Sequence, residues 1–138
     1  MFWPFRPSRP SPAPASDAGA RGEDLAAAAA VRRGWRVLAR NYRCRVGELD
    51  LILRAGRALV FVEVKTRRRA GLGLEAVTWT KRRRVVRAAL DYAGRERVDL
   101  GRVPLRFDVC EVVLVPGAAP VLTWHEDAFD VEDLGLDL

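Results

Sequence analysis

Apolar residues recur along the chain with two different periods, and these periods separate helices from strands. Spacings of three and four residues, which place side chains on one face of a helix, occur in residues 75–95, and the alanine-rich residues 18–33 are also predicted to be helical. The alanine-rich helix has Asp17 as a candidate N-cap and Gly34 as a candidate stop. Its alanine run at 26–30 predicts a flat surface that lies close against a sheet.

Five other segments have the β-branched and aromatic content of strands. They cover residues 35–45, 48–53, 58–66, 105–115 and 121–125. The second and third segments are joined around Ala55 and Gly56, which predicts a hairpin. The element order α-β-β-β-α-β-β therefore predicts an α/β fold, with a mixed central sheet of about five strands flanked by helices.

Both ends of the chain depart from these patterns. Five of the eight prolines lie within the first 14 residues, so residues 1–17 are predicted to form a disordered tail. Residues 126–138 hold six acids and no base, which is typical of a loose acidic tail. With 138 residues in total, we expect one domain over residues 18–125.

Charge is distributed unevenly and favours a polyanionic partner. The chain has 24 basic and 18 acidic residues, and the acidic tail leaves a net charge of +12 on residues 1–125. Such a body suits DNA or RNA, because the release of counterions from phosphates favours binding without reading sequence. An arginine-rich coding bias is the alternative explanation.

Composition also excludes several classes of protein. The longest uninterrupted apolar run, residues 25–31, is far shorter than the ~18 residues that span a bilayer, so no membrane partner is expected. Two cysteines and one histidine do not supply a Cys/His zinc site or a disulfide framework. Prolines interrupt the N-terminus where a signal peptide needs its apolar stretch, so a cytoplasmic location is expected.

The predicted hairpin carries charged residues that alternate with apolar ones. Side chains two residues apart share a face of a strand, so Glu48 lies with Asp50 and Glu63 lies with Lys65. Whether the two faces coincide depends on the register of the hairpin.

A loop of two residues at positions 55–56, or of four at 54–57, gives paired positions whose numbers sum to 111. Asp50 then faces Phe61 and has Glu63 as its diagonal neighbour, about 7–8 Å away between backbones. Asp50, Glu63 and Lys65 are therefore expected on one surface, whereas a three-residue loop would separate the acids.

Clustered carboxylates beside a lysine suit a divalent cation. Mg²⁺ prefers one or two carboxylates, several waters and a phosphate oxygen, and Mn²⁺ is the expected substitute. Lys65 is then placed to orient or deprotonate a water, or to offset charge on phosphate, as phosphodiester hydrolysis requires. The alternative is an amphipathic hairpin with a solvated Glu63–Lys65 ion pair.

Amino-acid usage favours the chemical interpretation of Lys65. The chain has 22 arginines and two lysines, Lys65 and Lys81. Unlike a guanidinium, an ammonium is compact and titrates when it is partly buried. The use of lysine at position 65 therefore favours a role that needs a compact, titratable ammonium group.

These pieces together resemble a known family. They are GE at 22–23, NYR at 41–43, GELDLIL at 47–53, FVEVKTR at 61–67, Gly73, EAV at 75–77, Lys81 and RFDV at 106–109. The combination, over about residues 19–115, resembles the YraN family of small bacterial proteins, which is similar to the PD-(D/E)xK nucleases. Within that group, the family particularly resembles archaeal Holliday junction resolvases and restriction endonucleases.

The resemblance implies a restriction-endonuclease-like core and a magnesium-dependent nuclease site. Asp50 and Glu63 resemble the metal-binding acids, Lys65 the catalytic lysine, and Glu23 the acid that resolvase-like members carry on their first helix. Leu49 stands where the superfamily's proline is expected.

Two of the acids keep alternative roles. Glu23 is near the start of its helix, where a carboxylate also stabilises the helix dipole. Glu48 is a candidate ligand for a second metal or a support for one, and a solvated position at the sheet edge is equally consistent with its pattern.

Basic residues near these acids are the candidate contacts for nucleic-acid phosphates. They are Arg40, Arg43, Arg67, Arg68, Lys81 and Arg84. Lys81 and Arg84 follow Thr80, a candidate N-cap of the second helix, where bound phosphate would offset the unfavourable cations. Tyr42 and Trp79 are candidates for base stacking, although we expect both in the core.

Two function classes other than a nuclease remain open. The first is a nucleic-acid-binding module that keeps the fold and the charges without turnover. The second is an interaction adaptor whose acidic C-terminal tail covers the basic site. A homodimer also remains open, because nucleases that cut two strands often work as pairs.

Overall fold

The predicted order of helices and strands is confirmed by the computed structural model, which describes residues 17–68 and 79–129. The elements are α1 (Asp17–Arg32), β1 (Arg36–Cys44), β2 (Gly47–Ala55), β3 (Ala58–Arg67), α2 (Trp79–Arg95), β4 (Leu105–Val113) and β5 (Val121–His125). The proposed start of the second helix, at residues 75–78, lies outside the described residues. Thr80 lies inside α2 and is therefore not its N-cap.

The five strands form one mixed sheet in the order β1-β2-β3-β4-β5. β3 is the central strand: it pairs antiparallel with β2 and parallel with β4. A strand covered on both faces is apolar at successive positions, and residues 59–62 of β3 are all fully buried. The sheet is the α/β arrangement expected of a restriction-endonuclease-like core.

The two faces of the sheet bury separate cores under the two helices. On one face, Val60 and Val62 pack with the small residues Ala26 and Ala30 of α1. On the other face, Phe61 packs with Val86 and Tyr92 of α2, among other apolar residues. Because both faces are covered, a charged residue in the middle of β3 does not face open solvent.

The hairpin register differs from the predicted one by two positions, although its parity is the same. Ala55 pairs with Ala58, so paired positions sum to 113 and the two-residue loop is Gly56-Arg57. Gly56 has a φ of +59°, and glycine at the first loop position is what a type II′ hairpin turn requires. The predicted alignment of Asp50 with Phe61 is wrong, because Phe61 pairs with Ile52.

The chain remains packed beyond the predicted end of the domain at residue 125. Asp127 and Ala128 donate backbone hydrogen bonds to Asp108 and to the Phe107 carbonyl, and Phe129 stacks on Phe107 with its ring 5.3 Å away. The apolar pair Ala128 and Phe129 therefore anchors the start of the acidic segment. Residues 1–16 and 130–138 lie outside the described residues.

No helix within the described ranges has an apolar stretch long enough to cross a membrane.

We expect a Gly47→Ala substitution to destabilise the fold. A Cβ at Gly47 would overlap the backbone carbonyl of Arg84, where β2 meets α2, and a backbone group cannot rotate away. Such overpacking costs about 1–3 kcal/mol, which urea denaturation measures directly.

Gly94→Ala is the matched control, because a Cβ there meets no atom within 4 Å. That variant should be neutral or more stable by up to ~1 kcal/mol. Equal effects of the two substitutions would show that the contact between β2 and α2 is not tight.

Candidate functional site

All the predicted acidic site residues line one cavity, together with both lysines of the chain. This inner cavity has a volume of about 520 Å³ and lies where α1 and α2 approach β2 and β3. Its charged lining residues are Glu23, Glu48, Asp50, Glu63, Lys65 and Lys81. The sheet and both helices thus contribute to one concave site, as the hairpin pattern predicted for Asp50, Glu63 and Lys65.

Glu63 is the most deeply buried of the inner-cavity carboxylates that carry an ion pair. Its side chain is 5% exposed, and its Oε1 lies 2.5 Å from the Lys81 Nζ and 3.5 Å from the Lys65 Nζ. The alternative expectation that a Glu63–Lys65 pair lies in solvent is therefore wrong, because the Glu63 carboxylate is buried. The ion pair exists, but it is enclosed and includes a second lysine from α2.

Asp50 leaves the ladder of β2 and binds the backbone of β3 with its side chain. Its Oδ2 accepts a hydrogen bond of 2.7 Å from the Val64 N–H. Burial and the neighbouring charge of Glu63 raise the pKa of Asp50 well above its ordinary value, although the hydrogen bond from Val64 opposes this. The two carboxylates therefore repel each other.

A local break in the pairing of β1 with β2 accompanies this placement of Asp50. Asn41 and Asp50 lie between paired positions but are themselves absent from the register, and Asn41 has a φ of +51°. In a regular strand Leu49 and Leu51 would share a face. Here Leu49 packs under α2 and Leu51 under α1, so the strand rotates at Asp50.

Glu23 enters the inner cavity from α1 with an unpaired oxygen. Its side chain is part of the buried set at 8% exposure, and its Oε2 has no hydrogen-bond partner. α1 approaches β3 so closely here that a Cβ at Gly22 would overlap the Thr66 side chain. A buried oxygen without a donor is costly, so Glu23 is able to accept a water, a cation or another donor at this position.

The two lysines have opposite pKa shifts. Burial lowers the pKa of Lys65, and the neighbouring Lys81 lowers it further. Burial also acts to lower the pKa of Lys81, but its hydrogen bond with Glu63 and the charge of Glu63 outweigh this effect and raise that pKa. Lys65 is thus the lysine that more readily gives up its proton, as a general base must.

Four of the six predicted phosphate-binding residues are engaged in ion pairs within the chain, namely Arg40, Arg43, Arg67 and Lys81. Arg40 pairs with Asp24 of α1 at 2.5 Å, and Arg67 lies 3.6 Å from Glu111 of β4. Arg43 lies 3.9 Å from Glu48 and is exposed. For Arg40 and Arg67 these contacts compete with phosphate, which the sequence pattern did not indicate.

Arg68 and Arg84 are exposed, and Lys81 is partly exposed despite its ion pair with Glu63. Arg68 lies at the end of β3. Lys81 and Arg84 line an outer cavity of about 250 Å³, together with Glu48, Thr80 and Val85. The inner and outer cavities share Glu48 and Lys81, so the acidic site continues into a basic one.

The two candidate stacking aromatics differ in exposure. Tyr42 is half-buried, donates a hydrogen bond to Asp91 and meets Tyr92 edge-on. Trp79 is 57% exposed, with the Arg83 guanidinium 4.7 Å from its ring centre, so its expected burial is wrong.

Sequence reasoning missed two residues next to the site. Glu111 is buried on β4 at the register position of Lys65, and Asn41 marks the break opposite Asp50. An acid inside the apolar run of β4 was the available signal for Glu111. For Asn41 the only signal was the tolerance of asparagine for positive φ.

The lining of the inner cavity fits a hard divalent cation. Its four acidic residues offer carboxylate oxygens, which are the ligand type that Mg²⁺ and Mn²⁺ prefer. One of these oxygens, the Oε2 of Glu23, has no hydrogen-bond partner. Within residues 17–68 and 79–129, no three acid, cysteine or histidine side chains are already grouped to hold a metal ion. Side chains would therefore have to move to bind one.

Comparisons with known proteins place the site inside a shared region. The family model described as "Uncharacterised protein family UPF0102" matches residues 22–112, which include Glu23, Asp50, Glu63 and both lysines. A UPF0102 protein of Geobacter sulfurreducens is 45% identical over 115 residues, which cover 82% of this chain and 88% of the relative. For a UPF0102 protein of Nocardia farcinica the identity is 49% over 106 residues, with 75% and 82% covered.

A third relative, a UPF0102 protein of Xanthomonas euvesicatoria, is 44% identical over 124 residues, with 88% of this chain and 98% of the relative covered. The similarity to these three proteins therefore extends over most of each chain.

We expect Asp50→Asn to stabilise the protein at neutral and higher pH. The raised pKa means that the folded state protonates Asp50 more readily than the unfolded state, so stability falls as pH rises through the folded pKa. Asparagine mimics the protonated form and still accepts the Val64 hydrogen bond. Urea denaturation at pH 8 should show a gain of about 1–3 kcal/mol, which shrinks towards pH 4.

Asp24→Asn is the control, because that carboxylate is 66% exposed in a surface ion pair. It should change stability by less than about 1 kcal/mol, without a gain that grows with pH. A destabilised Asp50→Asn variant at pH 8 would contradict the electrostatic account of the inner cavity.

Proposed function

The chain belongs to the UPF0102 (YraN) family, and we propose that its inner cavity is the active site of a Mg²⁺- or Mn²⁺-dependent nuclease that hydrolyses phosphodiester bonds in DNA or RNA. The observation that carries this proposal is the convergence of Glu23, Asp50 and Glu63 on one cavity that also holds Lys65. Neither helix nor sheet stability requires three acids in this place.

The acids are the residues that would hold the cation. Asp50 and Glu63 are adjacent and repel each other, and Glu23 supplies an oxygen without a donor. Their combined negative charge has a cost in a buried site that a divalent cation would remove. When bound, such an ion lowers the pKa of water and offsets charge on phosphate.

Lys65 is the proposed proton acceptor or charge stabiliser. It lies on the same face of β3 as Glu63, and its Nζ is 3.5 Å from that carboxylate. Burial lowers its pKa, which increases the fraction of neutral amine at physiological pH. The neutral amine can take a proton from the attacking water, whereas the protonated ammonium can face the phosphate oxygens.

Positive charge around the cavities supports a nucleic-acid substrate. Arg84 lines the outer cavity, and Arg43 and Arg68 are exposed near the ends of β1 and β3. These residues would hold phosphates along the backbone and so position a strand without reading its sequence. The exposed Trp79 adds a surface on which an unpaired base can stack.

The second candidate function is a nucleic-acid-binding module without turnover. The observation in its favour is that, among the described residues, the acids are not already grouped to hold a metal. The adaptor hypothesis needs the acidic segment at residues 126–138, and residues 130–138 of it lie outside the described residues.

Cleavage assays separate the two functions. Purified protein with Mg²⁺ or Mn²⁺ should cut at least one of single-stranded, flapped, branched and duplex substrates. Lys65→Ala and Asp50→Asn should each lower the rate by about 100-fold or more, because each removes a group that acts in the transition state. Binding of the same substrate, measured by fluorescence anisotropy, should change little for Lys65→Ala.

Arg57→Ala is the control, since Arg57 lies in the hairpin loop at the far end of β3 from the cavity. It should keep full activity. If no substrate is cut faster by the wild type than by Asp50→Asn, while binding persists, the protein is a binding module.

A further inference from the structure

The position of Lys81 is not explained by the nuclease chemistry assigned to the other residues. Its ammonium reaches from α2 to the Oε1 of Glu63, the oxygen that Lys65 also approaches. One buried carboxylate oxygen thus has two ammonium groups within 3.5 Å. One positive partner would satisfy the single negative charge of Glu63.

The second ammonium takes up one of the two Glu63 oxygens that a divalent cation could use. A metal held by Glu63 needs the lone pairs of its carboxylate, and in this structure Lys81 takes the shorter of the two contacts at 2.5 Å. The negative charge of Asp50 also acts on Lys81. Lys81 therefore faces the same pair of acids that the metal is expected to face.

We propose that Lys81 is a built-in counter-cation, which compensates Glu63 and Asp50 in the metal-free protein and yields its place when a divalent cation binds. This inference rests on the proposed function, because it needs the inner cavity to be a metal site. It assigns to Lys81 the role of a positioning residue that keeps the acids ready for the metal.

The structure provides a place for the displaced ammonium. Lys81 lines both cavities, and the outer one contains Glu48, a second carboxylate. The Lys81 side chain is 38% exposed, so part of it already reaches solvent. A flexible four-carbon stem lets the ammonium move from Glu63 towards Glu48 without a change in α2.

The choice of lysine fits this role. The chain has 22 arginines and uses its only two lysines in the inner cavity. A compact ammonium resembles a metal ion as a point charge, whereas the rigid, planar guanidinium favours a fixed two-oxygen contact that is harder to displace. The proposal also accounts for acids that converge on one cavity yet are not grouped around a metal position.

Metal titration of a charge-free variant tests the proposal. Lys81→Met keeps the length of the stem and removes the competing charge, so the Kd for Mn²⁺ by isothermal titration calorimetry should fall by about tenfold relative to wild type. Arg84→Met removes the same charge one helical turn away in the outer cavity, and its Kd should stay within about twofold of wild type. An unchanged or weaker affinity in Lys81→Met, or equal tightening in both variants, would overturn the proposal.

Thermal unfolding provides a readout that does not depend on activity. In EDTA, Lys81→Met should have a lower Tm than wild type, because Glu63 and Asp50 lose their compensating charge. With saturating Mn²⁺ that difference should close. An ion pair with only a structural role would leave the same Tm deficit under both conditions, and that result would refute the exchange.

The same measurements distinguish the two proposals. If wild type binds Mn²⁺ but Lys81→Met binds it no better, the counter-cation role fails and the metal site stands. If neither protein binds Mn²⁺ at millimolar concentration, the metal dependence of the proposed nuclease fails, and the counter-cation proposal fails with it.

Discussion

The site depends on one electrostatic constraint, which is the burial of the Glu63 carboxylate in the central strand of a sheet covered on both faces. Glu63 is 4% exposed and has fully buried apolar neighbours on the same strand. A buried charge is costly unless it is paired, and the positive partners of Glu63 come from β3 itself and from α2. This requirement links the position of α2 to the chemistry of the sheet.

Much of the fold follows from the sequence because hydrophobic period and strand order are local properties. The paired strands and the alanine-rich helix have apolar patterns that are buried when helices cover a mixed sheet. The hairpin register was off by two positions because a short loop with one glycine can close in more than one frame. The parity, which decides the face of Asp50 and Glu63, is the same in both frames, so the expected cluster forms despite the register error.

The details that escaped prediction depend on contacts between elements distant in sequence. Nothing near Arg40 or Arg67 indicates that Asp24 and Glu111 will meet them across the fold. The positive φ of Asn41 is a backbone property, and it occurs where the pairing of β1 with β2 is interrupted. Alternation along the hairpin identified the acids of β2 and β3, whereas the contact of Lys81 with Glu63 required the position of α2.

The parting of β2 from β3 also separates the site from the core. Their pairing ends at Leu51 and Val62, while β3 continues beside β4 as far as Arg67. The inner cavity therefore lies where β2 and β3 separate. The β1–β2 turn at residues 45–46 is at the end of the part of β2 that is not paired with β3. A longer or shorter turn there would change the width of the gap between β2 and β3, while the paired part of the hairpin stays intact. The size of the molecule that enters the site can therefore evolve separately from the stability of the domain.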